Sequence, residues 1–138
     1  AGMEIMDKLA IEASEQYAHA GYPVGAEAIL LIEHDGPASE VEHLIERTRR
    51  ILLKDGAMGI RVSSSEEERL RLWAGRKAAF PAMGRISPDY YCMDGTIPRG
   101  ALPKVLAGIS DLSRRYGLRV ANVFNPLGSP RSYVRCSR

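Results

Sequence analysis

The sequence predicts an α+β fold, a ferredoxin-like four-stranded antiparallel sheet with helices on one face, an inserted helix and an N-terminal helix. Two observations support this prediction. Apolar residues recur with helical spacing in four segments, and four shorter segments of strand length alternate with them. The resulting order is a helix, a strand-helix-strand unit, a helix, and a second strand-helix-strand unit.

The first half of the chain contains three predicted elements. Residues 3–20 place apolar side chains near helical spacing, and Gly21 ends that pattern, so an amphipathic helix is expected. Residues 27–33 form a short apolar run that turn residues close, which is typical of a buried strand. Residues 40–54 repeat apolar residues at offsets of three, four and seven, which predicts a second amphipathic helix.

The middle of the chain begins with a predicted strand at residues 58–62. Ser65 and Glu68 then have the spacing of a capping box, in which the serine oxygen accepts a free amide hydrogen bond at the start of a helix. This helix is expected to run to about Phe80, where Pro81 disfavours a helical conformation of the residue before it and either ends or kinks the helix.

The last elements follow the same logic. Residues 90–96 are a candidate strand, a helix begins at Pro103 with Gly117 at its C-cap, and residues 118–124 give the fourth strand. Residues 125–138 are rich in serine and arginine, and we expect a disordered tail there. The predicted domain therefore covers residues 1–124.

Composition and charge restrict the possible functions. With 45% hydrophobic and 26% charged residues, the chain is expected to form one soluble domain. The longest nearly uninterrupted apolar run, residues 28–32, is far shorter than a membrane span, and no secretory leader is visible. The tail carries three arginines and no acid, so residues 1–124 have a formal charge of 2 − 3 = −1, which argues against nucleic-acid binding. Two widely separated cysteines favour the cytoplasm.

Arg76 is the leading candidate for a binding residue. It follows Trp73 by three residues near the end of the capped helix, so its side chain can emerge beside the apolar face. A guanidinium there can bind a carboxylate through two parallel hydrogen bonds. The alternative is an ordinary surface arginine, solvated or in a salt bridge.

Tyr90 and Tyr91 alternate on a predicted strand, so their side chains are expected on opposite faces. Core packing and partial exposure are the plain alternatives for them. Asp94 and Arg99 can pair across the following turn in a structural role. His19, His34 and His43 lack partners at metal-ligand spacing, so no metal site is predicted, and no catalytic residue is assigned.

Two sequence runs carry a family resemblance. They are Leu72-Trp73-Ala74-Gly75-Arg76 and Pro88-Asp89-Tyr90-Tyr91-Cys92-Met93-Asp94-Gly95-Thr96-Ile97-Pro98-Arg99. In these runs the chain resembles the C-terminal cap domain of FAD-linked 2-hydroxy-acid oxidases, most closely the glycolate-oxidising members. The resemblance extends from Gly2 to Phe124 and then breaks, because the histidine-rich motif of the family does not follow.

The resemblance implies an FAD-dependent oxidoreductase as the parent enzyme. It implies that Arg76 holds the substrate carboxylate, that Tyr90 or Tyr91 borders the substrate, and that Asp94 and Arg99 face the cofactor. Cys92 stands where relatives acting on larger diacids have a lysine, which fits a small 2-hydroxy acid such as glycolate or lactate. The implied partners are the missing N-terminal FAD-binding domain and other glycolate oxidase subunits.

Three expectations follow for the chain by itself. It should bind no FAD and oxidise nothing, because the flavin belongs to a separate domain. The surface that should cover the flavin domain would be exposed, which favours self-association. The alternative is a free-standing ferredoxin-like regulatory or small-acid-binding module, and fold alone does not distinguish the two.

Overall fold

The computed structural model describes residues 1–124 and 132–137, which form an α+β fold of four α-helices and an antiparallel sheet. The strands are β1 (Gly2–Asp7), β2 (Ala28–Glu33), β3 (Tyr90–Gly95), β4 (Arg119–Phe124) and β5 (Ser132–Ser137). The helices are α1 (Lys8–Ala18), α2 (Ala38–Lys54), α3 (Glu66–Ile86) and α4 (Leu102–Tyr116), and a 3-10 turn at Arg99–Ala101 precedes α4.

The sheet has β1 and β4 near its centre. Its strand order is β2-β1-β4-β5-β3, and every pair is antiparallel. Strands β2, β1 and β4 form a three-stranded part, which β5 and then β3 extend. The ferredoxin-like four-stranded arrangement is not confirmed. In that fold a strand-helix-strand unit joins parallel strands, whereas β1 and β2 here are adjacent and antiparallel.

The predicted helix over residues 3–20 is wrong in its first part. Residues 2–7 form strand β1, and α1 begins only at Lys8. Asp7 is the reason for the change, because its Oδ1 atom accepts a hydrogen bond from the Ala10 amide at 3.0 Å and so caps the helix. Strand β1 obtains its hydrogen bonds from β2 and β4, and β4 lies more than a hundred residues away in the chain.

The predicted strand at residues 58–62 is also wrong. These residues have no regular secondary structure, and Met58 is almost fully exposed. No described strand pairs with them, and a strand without partners leaves its backbone groups to water. The segment is instead held by Arg61, whose Nη1 atom donates to the carbonyl oxygen of Gly21 at 2.9 Å.

The end of α3 lies beyond the predicted end at Phe80. The helix continues through Pro81 to Ile86, and Ser87 follows it as the C-cap. Proline in a helix interior removes one backbone hydrogen bond and crowds the preceding turn. Pro81 is exposed, so its turn faces water, while Ala82 and Met83 continue the buried face of the helix.

Most other boundaries are confirmed to within one or two residues. They are the strands at residues 28–33, 90–95 and 119–124, helix α2, the start of α3 and helix α4. The predicted tail falls partly on residues 125–131 and 138, which lie outside the described residues. Ser132–Ser137 form β5, where the sequence predicted no structure, and the division of the chain at residue 124 stays a prediction.

The core lies between the sheet and the two helices α1 and α3. Much of it consists of small side chains, which allow these helices to pack closely. Met6 and Ile11 are its largest fully buried members. The other core residues are Ala10, Ala13, Ala20, Tyr22, Ala79, Ala82, Met83, Ala121 and Val123.

Helices α2 and α4 are packed less tightly. Neither helix contains a buried residue, although both are strongly amphipathic in sequence. A hydrogen bond of 2.9 Å between His34 Nε2 and Thr48 Oγ1 ties α2 to the residue after β2. Leu112 and Tyr116 on α4 remain more than half exposed. Within the described part of the chain, no helix has the length and apolar character needed to span a membrane.

Candidate functional site

Three side chains on one face of α3 reach strands β1 and β2. The side chains of Arg69, Trp73 and Arg76 project from this face, at the spacing of four and then three residues that keeps helical side chains on one side. Arg69 Nη1 lies 3.1 Å from Glu33 Oε2 on β2. The Trp73 ring covers Gly2, where a Cβ atom would lie 3.5 Å from its Cη2 atom.

The third contact is an ion pair between Arg76 and Glu4. The Nε and Nη2 atoms of Arg76 each lie 3.1 Å from Glu4 Oε2. The side chains are only 19% and 13% exposed, so water screens this pair less than a surface pair. Burial raises the pKa of the Glu4 carboxyl, and the charge and hydrogen bond of Arg76 oppose that rise.

A close approach of the chain to α3 fixes the turn that carries Arg76. A Cβ atom at Gly75 would lie 2.5 Å from Ala20 Cβ and 2.8 Å from the Tyr22 ring, so only glycine fits there without a shift. The Tyr22 hydroxyl donates to the Leu72 carbonyl oxygen, and the Tyr22 amide donates to Glu15 Oε2 at 2.8 Å. Burial raises the pKa of Tyr22 to about 12, so its hydroxyl stays a donor.

Arg76 lines an open cleft between α3 and β4. The cleft has a volume of about 330 Å³. Among the described residues, Arg76 and Lys77 supply positive charge to the cleft, and the other lining residues are apolar. The apolar residues are Ala79, Phe80, Met83, Ala121 and Val123. A guanidinium beside apolar walls suits a small organic anion, because the cation binds the carboxylate while the walls exclude water.

The other predicted site residues lie on or after β3, and Tyr90, Tyr91 and Arg99 are not among the described residues that line this cleft. Strand β5 separates β3 from β4, which puts the β3 backbone about 10 Å from β4 at ordinary strand spacing. In the strand register, Tyr90 pairs with Ser137, and Ser137 pairs with Arg119. In the same way Cys92 pairs with Arg135, and Arg135 pairs with Ala121. Tyr90 and Cys92 are therefore on the sheet face that carries the cleft-lining Ala121.

The remaining site predictions are placed by the backbone. Tyr91 alternates with Tyr90 and belongs to the opposite face, where it is 70% exposed. The Asp94 backbone pairs with Tyr133 on β5. Arg99 begins the 3-10 turn before α4 and is exposed. Of the predicted site residues, Arg76 thus lies at the cleft. Lys77 and Phe80 also line it, and the sequence did not indicate them as ligands.

Glu4 is the residue that sequence reasoning missed most clearly. Its signal was the alternation of a strand, which places Glu4 on the face opposite to Met3 and Ile5 and on the same face as Met6, which is fully buried. Because residues 3–20 were predicted as a helix, the strand alternation of residues 2–7 was not recognised. Among residues 1–124 and 132–137, no group of three or more His, Cys, Asp or Glu side chains is arranged to hold a metal ion.

Comparison with known proteins agrees with the resemblance. The family described as FAD linked oxidases, C-terminal domain, matches residues 1–125. The chain is 64% identical over 124 residues to Glycolate oxidase subunit GlcD of Escherichia coli (strain K12), covering 90% of this chain and 25% of that protein. It is 31% identical over 137 residues to Glycolate oxidase subunit GlcD of Bacillus subtilis (strain 168), covering 99% of this chain and 29% of that relative.

A more distant relative is Probable D-lactate dehydrogenase, mitochondrial, of Danio rerio, which is 27% identical over 108 residues, or 77% of this chain and 21% of that protein. The chain spans about a quarter of the length of these curated relatives. In the Escherichia coli protein the matching part is the C-terminal part. The family match covers most of this chain, and the chain belongs to the C-terminal domain family of the FAD-linked oxidases.

Proposed function

We propose that this chain is the substrate-side cap of an FAD-dependent enzyme that oxidises glycolate or a similar small 2-hydroxy acid. The observation that supports the proposal is the cleft in which Arg76 and Lys77 stand beside apolar walls. In this proposal the Arg76 guanidinium holds the substrate carboxylate, and Phe80 and Met83 exclude water from the carbon that is oxidised. The identity with the glycolate oxidase subunits supports the choice of substrate.

The cleft fits the small acid and does not fit FAD. Its volume of about 330 Å³ is at the lower end for a ligand site, and among the described residues its positive side chains are two neighbours on one helix. A dinucleotide needs a longer site with several groups for its phosphates. We therefore assign FAD, which supplies the electron-accepting chemistry, to a segment of the parent enzyme outside this chain.

The residues on β3 have a secondary part in the proposal. Tyr90 and Cys92 share a sheet face with cleft residue Ala121, so they are candidates for the border of the substrate site. Cys92 stands where some relatives acting on larger diacids have a lysine. In this proposal Arg76 is therefore the group that binds a substrate carboxylate, which suits a monocarboxylate. Tyr91, Asp94 and Arg99 remain predictions from the family resemblance, as border of the substrate site and as cofactor-facing residues.

Substitution of Arg76 in the full-length flavoenzyme tests the proposal. Arg76→Ala should raise the KM for glycolate by about 10- to 100-fold, because hydrogen bonds to charged groups contribute about 1.5–3 kcal/mol each. The KM of Arg76→Lys should lie between those of the wild type and Arg76→Ala, since lysine keeps the charge but has no planar fork. Arg71→Lys, on an exposed position of the same helix, is the control. Unchanged glycolate kinetics in Arg76→Ala would refute the proposed clamp.

The isolated chain distinguishes the cap from a free-standing module. A cap without its flavin partner should bind almost no glycolate, lactate or amino acid in calorimetry, and the purified chain should be colourless. Tight binding of one of these ligands would favour a regulatory small-acid module, and yellow protein would show that the chain binds FAD. The same proposal includes self-association of the isolated chain, which light scattering measures. It also includes a cytoplasmic location and contact with other glycolate oxidase subunits.

A further inference from the structure

Glu4 is the ion-pair partner of Arg76, which the proposed function assigns to the substrate carboxylate. Arg76 is among the described residues that line the cleft, Glu4 is not, and the two side chains form an ion pair. Glu4 is on β1, where it pairs with Leu31 on β2, and the next two residues of β1 pair with β4 as well. The partner of Arg76 is thus a carboxylate on a rigid element.

The geometry of the pair leaves part of the guanidinium available. The Nε atom donates a hydrogen bond to Glu4 Oε2, and Nη2 lies 3.1 Å from the same oxygen in the ion pair. An arginine side chain has five N–H donors, of which only those on the Nε side of the guanidinium face Glu4. The donors that remain are on Nη1 and on the outer side of Nη2, and together they form the fork edge that binds a carboxylate through two parallel bonds.

We propose that Glu4 is a positioning residue for substrate binding, which fixes the Arg76 guanidinium so that its Nη1–Nη2 edge faces the cleft. This inference rests on the proposed function, because it requires Arg76 to bind the substrate carboxylate. Arginine loses considerable side-chain freedom when it is immobilised, and a partner that fixes it before the ligand arrives removes that cost from binding.

An opposite effect has to be separated by experiment. Glu4 is itself an anion, so it repels a substrate carboxylate and lowers the net positive charge that the cleft presents. Positioning predicts weaker binding when Glu4 is removed, and repulsion predicts tighter binding. The guanidinium charge lies between the two carboxylates and attracts both, which favours the positioning effect.

Three substitutions of Glu4 in the full-length flavoenzyme separate charge from reach. Glu4→Gln keeps an acceptor oxygen at the same reach without charge, Glu4→Asp keeps the charge with a shorter side chain, and Glu4→Ala removes both. The measurements are KM and kcat for glycolate and the inhibition constant of acetate, which has a carboxylate and no hydroxyl to oxidise. Glu33→Gln is the matched control for Glu4→Gln, since it removes the charge from a strand-to-α3 ion pair of the same length, between residues that are not among those lining the cleft.

Positioning predicts a defined order. Glu4→Ala should raise the KM and the inhibition constant about tenfold, the effect of leaving one flexible side chain to be ordered on binding. Glu4→Asp should be intermediate, Glu4→Gln should be closest to the wild type, and Glu33→Gln should equal the wild type. Tighter binding in Glu4→Gln and Glu4→Ala would overturn the inference, as would equal weakening in Glu33→Gln.

Two further measurements keep the outcome clear. If Glu4→Ala does not fold, the contrast between Glu4→Asp and Glu4→Gln still tests reach against charge. In an Arg76→Ala background, the Glu4 substitutions should have no further effect on acetate inhibition, because they act through the guanidinium. If Arg76→Ala alone leaves binding unchanged, the proposed function fails. If Arg76→Ala weakens binding and the Glu4 variants do not, only the positioning role fails.

Discussion

The close contact at Gly75 makes a quantitative prediction about stability. In Gly75→Ala the new Cβ atom would lie 2.5 Å from Ala20 Cβ and 2.8 Å from two atoms of the Tyr22 ring. Tyr22 cannot move away easily, because hydrogen bonds hold both its hydroxyl and its amide. Overpacking of this kind costs about 1–3 kcal/mol, and the better helix propensity of alanine returns up to about 1 kcal/mol. We expect Gly75→Ala to lower the free energy of unfolding by roughly 1–2 kcal/mol.

The same helix contains its own control. Gly84 is also in α3, and a Cβ atom there would have nothing within 4 Å outside its own turn. Gly84→Ala should therefore leave the free energy of unfolding unchanged or raise it by up to about 1 kcal/mol. Urea unfolding followed by the fluorescence of Trp73, the single tryptophan of the chain, measures both variants. A Gly75→Ala protein at least as stable as Gly84→Ala would refute the close approach.

Two further predictions concern helix caps. Ser65 Oγ accepts from the Glu68 amide at 3.2 Å, so Ser65→Ala should lower the free energy of unfolding by about 1 kcal/mol and Ser65→Asp should restore it, both by urea unfolding. Burial raises the pKa of Asp7 despite its hydrogen bonds with Ala10 and Asn122, so between its unfolded and folded pKa values the folded state binds more protons and stability falls as pH rises. The stability advantage of wild type over Asp7→Asn should therefore grow from pH 7 towards pH 4, and an advantage that shrinks would contradict this sign.

The elements that were predicted correctly are those whose signals are local. Helices α2 and α4 have complete apolar stripes, and α3 begins at a side-chain cap. Glu68 shows the limit of such reasoning. Its Oε2 atom accepts from the Ser64 amide at 2.8 Å and not from the Ser65 amide, so the capping box closes one residue earlier than expected.

The elements that were predicted wrongly depend on distant partners. Residues 2–7 have apolar positions that fit a helix and a strand almost equally well, and the choice is made by β2 and β4. Residues 58–62 have a strand-like composition and no strand beside them among the described residues. Strand pairing is a property of the assembled sheet, so a single local window does not contain it.

The candidate site also contains one residue that local sequence identifies and one that depends on strand pairing. Arg76 could be selected from the helix position and the family resemblance, because both are visible in a short segment. Its partner Glu4 is 72 residues away in sequence. The side of β1 that carries Glu4 is defined only once the strand has been recognised and its register with β2 is known.

The register of β1 therefore determines whether the proposed clamp has a counter-charge. Glu4 pairs with Leu31 on β2, and this places it on the face that α3 covers. A slip of one residue would put Met3 or Ile5 beside the guanidinium and turn Glu4 to the other face of the sheet. Arg76 would then lose its only anionic partner among the described residues in a half-buried site, where an unpaired charge is costly. The ion pair thus stabilises the register in which the guanidinium can serve the cleft, and binding geometry and sheet register depend on the same contact.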